Sequence, residues 1–242
     1  MKKRQIMAII MVITTVGCSM DPQDSEKAEN EINASMRRSI TSFPANPENP
    51  YDTAGELYYQ ISEAYHKTGK TVSNNAELIL DIEQLASRNE VFNSFVQDHY
   101  SSISTQDLDV FLLRPYDYLD GLVNSTKLSQ EANLNLRDFI SAMLMFDYAK
   151  LDENTVYEHV VNYEKWILGS SFSAADKKII LTASSVSRYA YTFAKRHKRR
   201  PKDRDWELLV GNIVAGTYTA SDDITAVVRM AVLVNLSSNL RQ

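Results

Sequence analysis

The sequence predicts an all-α fold: a single compact bundle of about eight to ten helices that follows a leader and a spacer. Three observations predict it. The chain of 242 residues contains only 7 Gly and 6 Pro, few for a protein built from many tight turns, so long helices with short links are expected. Apolar residues recur at spacings of three and four, and no stretch keeps a period-two alternation. Ser, Thr, Asp or Asn precedes these periodic segments, with Gly or Pro after several of them. A composition 44% hydrophobic and 24% charged supplies an ordinary core, and no fixed repeat of helix pairs points to a solenoid.

Each element has its own signal. Thr53, Ala54, Gly55 and Glu56 have capping-box spacing, and Leu57, Ile61, Ala64 and Tyr65 then share one face of a helix ending near Gly69. A second helix starts near Asn74 with Leu78, Ile79, Ile82, Leu85 and Ala86. A third carries Val91, Phe92, Phe95, Val96 and Tyr100. A fourth opens at Ser104 and is broken by Arg114 and Pro115, because proline lacks a donor and restricts its predecessor. A short helix is expected over 116–124. A longer one begins at Ser129 with Leu134, Leu136, Phe139, Ile140, Met143, Leu144 and Phe146. The next covers 152–168, with Val156, Val160, Tyr163 and Ile167 in register and Gly169 as its stop. Ser173 opens a helix whose apolar face is Ile179, Ile180, Ala183, Val186, Ala190 and Phe193, ending before Pro201. Two more are expected over 203–218 and, behind the capping residues Ser221, Asp222 and Asp223, to Ser237. Their apolar character nearly all round, around Val228 and Val232, fits burial at the bundle's centre. A membrane-inserting hairpin is the sharper alternative.

Ahead of the helices the chain reads as an address. Lys2, Lys3 and Arg4 form a cationic start, and residues 6–16 are an apolar run too short to span a bilayer. The run ends in Thr15, Val16, Gly17 and Cys18, which resembles the lipobox of bacterial lipoproteins, with Thr15 where that family usually has Leu. The resemblance covers eighteen residues and implies that 1–17 are a signal peptide and that Cys18 is acylated. Attachment to a membrane through two or more acyl chains, palmitate among them, would be effectively permanent. Ser19 beside the cysteine and the acidic residues Asp21, Asp24 and Glu26 resemble the sorting and export signals of Bacteroidota lipoproteins, implying the outer membrane, at its periplasmic face or the cell surface. Residues 18–50 form the spacer, with Pro44, Pro47 and Pro50 at every third position favouring an extended, semi-rigid segment, and 51–242 form the helical domain.

Charge and chemistry narrow the function classes. The formal charge is -5, and loss of Lys2, Lys3 and Arg4 takes the processed chain to -8, which disfavours nucleic-acid binding. With 1 Cys, no intramolecular disulfide is possible. Against the acidic background, Lys195, Arg196, Lys198, Arg199, Arg200, Lys202 and Arg204 stand with a single acid, Asp203. They are a candidate patch for an anionic ligand, an internal partner for acidic helices, or a solvated helix end. Glu63 and His66 have the Glu-x-x-His spacing of di-iron helices, but no second copy precedes His99, His159 or His197. Thr68, Gly69, Lys70 and Thr71 lack the earlier glycine of a phosphate loop, and no Gly-x-Ser-x-Gly occurs. Asp52, Thr53 and Ala54 resemble an O-glycan acceptor of Bacteroidota, although helix capping explains the same residues.

No catalytic residue, metal site or cofactor is therefore assigned. The expectation is a lipid-anchored, non-enzymatic binding module with a protein or polyanion partner. The alternatives are a membrane-active or toxin-immunity protein using the C-terminal helices, and an enzyme with a carboxylate or single-metal site.

Overall fold

Local sequence explains where the helices begin. The computed structural model describes residues 44–96, 102–113, 128–197 and 223–237, and among them are eight helices and no strand. These are α1 Thr53–Thr68, α2 Asn75–Ser87, α3 Glu90–Phe95, α4 Thr105–Leu113, α5 Gln130–Tyr148, α6 Glu153–Gly169, α7 Ala174–Arg196 and α8 Ile224–Ser237. The fold is all-α, as the periodicity requires. Asn74, Asn89, Ser129, Asp152 and Ser173 each accept the backbone N–H three residues on, satisfying a donor that the helix cannot. At the last helix, Asp223 accepts the Thr225 N–H at 2.8 Å.

Helix α1 begins differently. Its N-cap Asp52 makes no capping bond, and Thr53 is already helical, so the expected capping box does not form. Glu56 instead accepts from Gln60 at 3.0 Å. At the other end Gly69 adopts φ 62 and returns its N–H to the His66 carbonyl at 3.2 Å, so the phosphate-loop-like stretch is a helix stop and turn. Lys150 closes α5 in the same left-handed region, φ 54. The Leu151 N–H reaches the Phe146 carbonyl and the Lys150 N–H reaches that of Asp147, the paired bonds of a Schellman turn.

Three expectations need correction. Helix α3 stops at Phe95, because the Val96 N–H folds back onto the Asn93 carbonyl at 3.2 Å with Val96 itself extended. Of that apolar set Phe92 is buried, while Val91, Phe95 and Val96 are exposed. Leu134 is exposed too, since a two-residue offset from Leu136 turns it about 200° around α5. The proline-spaced segment is not extended. Asn46 and Asn49, each before a proline, accept the N–H of Glu48 and Tyr51 at 3.1 and 2.9 Å, making two successive Asx-turns that seat residues 44–52 on the domain. The helices expected over 116–124 and 203–218 lie outside the described residues.

Helix α1 is central, packing on α7, α8 and α2. Its residues meet α7 in the same chain order, the Gly55 N–H at Ser185 Oγ, Tyr59 at Tyr189 and Phe193, Glu63 at His197, so the two helices run parallel. Helix α6 runs antiparallel to α7, and α5 antiparallel to α6 through Phe139 on Tyr163 and Phe146 on His159. Helix α7 was expected to bury one face, yet every residue from 179 to 193 is buried. Its serines make this tolerable by bonding inward, Ser187 to the Ala183 carbonyl at 2.6 Å and Ser184 to that of Leu181 at 3.1 Å. Helix α8 packs on α1, α2, α3 and α4, with Val228 and Val232 fully buried, the central position its apolar character implied. Among the described residues no helix is long and apolar enough to cross a membrane.

The α1–α7 crossing depends on a missing side chain. A Cβ at Gly55 would lie 2.3 Å from Tyr189 Cδ2, 2.4 Å from Ser185 Oγ and 2.7 Å from the Ser185 carbonyl oxygen. The last is backbone and cannot swing aside. Gly55→Ala is therefore expected to destabilise the chain by about 3 kcal/mol despite alanine's better helix propensity. Urea denaturation checks this, and a variant as stable as wild type would show that the helices do not approach so closely.

Candidate functional site

A deeply buried cluster of polar and charged groups lies where the turns of 44–52 meet α6 and α7. Arg188 of α7 is 1% exposed and Glu164 of α6 is 0% exposed, a combination that survives only if the charges are paired. Arg188 Nη2 contacts Asp52 Oδ1 and lies 3.3 Å from both oxygens of Glu164. Glu164 also accepts from Asn46 Nδ2 at 2.7 Å and Ser184 Oγ at 3.0 Å. Asp52 accepts from the Asn46 N–H at 2.9 Å and lies within hydrogen-bond reach of Ser185 Oγ and the Tyr189 hydroxyl. Burial, and then the Asp52 charge, push the Tyr189 hydroxyl well above the usual tyrosine range, so it stays a neutral donor.

Arg188 Nε and Nη1 have no hydrogen-bond partner among the described residues. The guanidinium carbon instead sits 5.3 Å from the Tyr189 ring and 5.9 Å from that of Tyr157, close enough for cation–π attraction. Asn49 completes the attachment by donating to the Leu181 carbonyl at 3.0 Å, and Tyr157 donates to that of Ala45 at 3.0 Å. Sequence reasoning missed this cluster, because its members lie up to 143 positions apart in the chain, Asn46 to Tyr189, and no local spacing links them. Of the acceptor-like triplet, Asp52 belongs to the cluster, Ala54 is fully buried and Thr53 is partly buried.

A second cluster joins the C-terminal ends of α1 and α7. Glu63 Oε1 is 2.5 Å from His197 Nε2, and the His66 ring lies 4.0 Å from that of His197. Burial raises the Glu63 carboxyl, but hydrogen bonds from His197 and Tyr59 outweigh it, holding the group below its ordinary value. The Glu-x-x-His pair of the sequence therefore has an internal partner on α7. Among the described residues, no three His, Cys, Asp or Glu side chains are arranged to hold a metal ion.

This cluster also receives the start of the basic stretch. Arg196 donates to the Tyr59 hydroxyl at 3.2 Å and lies 3.6 Å from Glu153, and Lys195 Nζ stands 4.9 Å from the Tyr191 ring. Arg196 thus has an acidic partner on α6, while the contact of Lys195 is with an aromatic ring of its own helix. Lys198, Arg199, Arg200, Lys202 and Arg204 lie outside the described residues, as does Cys18.

A third feature is open to solvent. Where α6 ends beside the start of α5, a groove of about 300 Å³ is lined by Glu131, Lys165, Trp166, Ser170, Ser171 and Phe172. Trp166 is 54% exposed and meets Phe172 edge-on, ring centroids 5.9 Å apart. Periodicity could not find this site, since Trp166 falls on the polar side of α6.

The buried cluster supports a definite energetic expectation. Arg188→Ala leaves Glu164 buried without its cation and is expected to cost about 3–5 kcal/mol, whereas Arg188→Met with Glu164→Leu recovers much of that loss. Equilibrium denaturation of the two variants checks this, and equal losses in both would contradict it. No family model, no curated protein and no solved structure matches the chain.

Proposed function

We propose that this chain is a lipid-anchored envelope protein whose helical domain is a binding module for a protein or polyanion. One observation carries the reading: a cationic start, an apolar run of signal-peptide length and small residues lead to the sole cysteine, Cys18. A chance cysteine would have no reason to fall at that position. The arrangement of charge supports the binding role, because the basic stretch past Arg196 gathers cations in an otherwise acidic chain, at the cost of self-repulsion that a bound anion would relieve. Lys195 and Arg196 already have internal contacts, so the weight of ligand binding falls on Lys198, Arg199, Arg200, Lys202 and Arg204.

Mass spectrometry of the chain purified from its own envelope tests the anchor. The expected result is a chain that begins at Cys18 and carries a diacylglycerol thioether, with Cys18→Ser retaining its leader and gaining no lipid. A free thiol at Cys18, or an intact leader on the wild-type chain, would overturn the reading.

A further inference from the structure

The groove at the end of α6 has a surface chemistry that points to a ligand class. Its aromatic component is a corner: the Trp166 and Phe172 rings stand 82° apart, and Trp166 leaves more than half of its surface in water. A large indole held open to solvent beside a second ring offers a flat apolar platform that no part of the described chain covers. Around this corner stand Glu131, Lys165 and Ser171, an acceptor, a donor and a hydroxyl that does both, while the Ser170 hydroxyl donates to the Ile167 carbonyl at 2.7 Å and has only acceptor capacity left.

Charge then selects among ligands. The groove is lined by one carboxylate and one ammonium, so its side chains carry no net charge. An anion would face the Glu131 carboxylate. A cation would face the Lys165 ammonium. A neutral ligand that carries many hydroxyls and one flat C–H face meets neither obstacle. We infer that this groove binds a neutral saccharide, one sugar face stacked on Trp166 and its hydroxyls exchanging hydrogen bonds with Glu131, Lys165 and the serines.

The size agrees. About 300 Å³ lies at the small end of the range of roughly 300–1,000 Å³ typical of small-molecule sites, which suits a mono- or disaccharide unit. Gly169 keeps the groove open, since a Cβ there would meet nothing within 4 Å and its backbone φ is not left-handed. A larger side chain at that position would fill the site without straining the helix end. This binding function goes beyond the anchored anion- or protein-binding role, uses a different surface and holds whether or not Cys18 is acylated.

Saturation-transfer NMR on the full chain in detergent tests it, with glucose, galactose, mannose, N-acetylglucosamine and cellobiose as probes and tetramethylammonium and inorganic phosphate as charged comparisons. Weak binding in the millimolar range is expected of one shallow aromatic contact, so each probe is offered at up to roughly 50 mM. At least one sugar should receive saturation on its ring C–H protons. Trp166→Ala should cut that signal about tenfold, and Gly169→Leu should abolish it, both variants keeping wild-type circular dichroism. Absence of transfer to every sugar, transfer unchanged in both variants, or a Trp166-dependent response from tetramethylammonium or phosphate alone would each overturn the inference. Such a failure would leave the thioether at Cys18 standing, and an unlipidated Cys18 would not alter the sugar result.

Discussion

Arg188 is the constraint on which the rest of the described structure turns. It lies on a helix buried on every side, within reach of two carboxylates, and neither it nor Glu164 can be left alone at that depth without a penalty of several kcal/mol. Satisfying the pair requires Asn46 and Asp52 from one end of the domain, Glu164 from α6 and Ser184 and Ser185 from α7. The arginine therefore fixes the approach of the incoming chain, the antiparallel setting of α6 and the start of α1 together. Apolar burial supplies most of the free energy, but it is indifferent to small sliding of one helix on another. The hydrogen-bonded charges and the close approach at Gly55 are not.

Such a cluster explains the helix that begins without a cap. Asp52 occupies the N-cap position and could accept a backbone N–H from α1, as Asp152 does for α6. Its carboxylate turns to Arg188 and the Asn46 N–H instead, trading a bond worth about 1 kcal/mol for the relief of a buried cation. A second fully buried arginine, Arg229 of α8, is answered by Glu83 of α2 at 2.8 Å, so two helices packed on α1, α7 and α8, each carry a buried charge paired with a carboxylate from another element.

How much of this the sequence disclosed depended on the range of the interaction. Helix starts at Asn74, Ser129, Asp152 and Ser173 were legible because a cap acts over three residues, and the stop at Gly69 because a left-handed residue acts on itself. The central place of α8 followed from its composition. The seating of 44–52 was missed although a signal existed. Asn46 with Pro47 and Asn49 with Pro50 form a repeated Asn-Pro pair, which marks turns more strongly than three-residue proline spacing marks an extended chain. Glu63 and His66 were rightly seen to share a face, but their partner His197 lies 131 residues beyond His66 and no local pattern announces it. Trp166 was invisible as a site, because an exposed aromatic on a polar face breaks no periodic rule. The remaining candidate positions, Cys18 and the cations past His197, rest on sequence.

Function and fold meet at the junction between spacer and domain. If the proposed anchor at Cys18 holds the chain to a membrane, any pull on the domain enters through residues 44–52, the segment that the buried charges clamp. Native-state hydrogen exchange at the Asn46 amide, which bonds Asp52 Oδ2, measures that clamp most directly. If Arg188 organises the domain as described, this amide opens only with the global unfolding that exposes α7, and its protection matches that of the α7 core. Exchange at the rate of an unstructured chain, with α7 still protected, would mean that the segment is a loose tether and that the charge cluster does not hold the fold together.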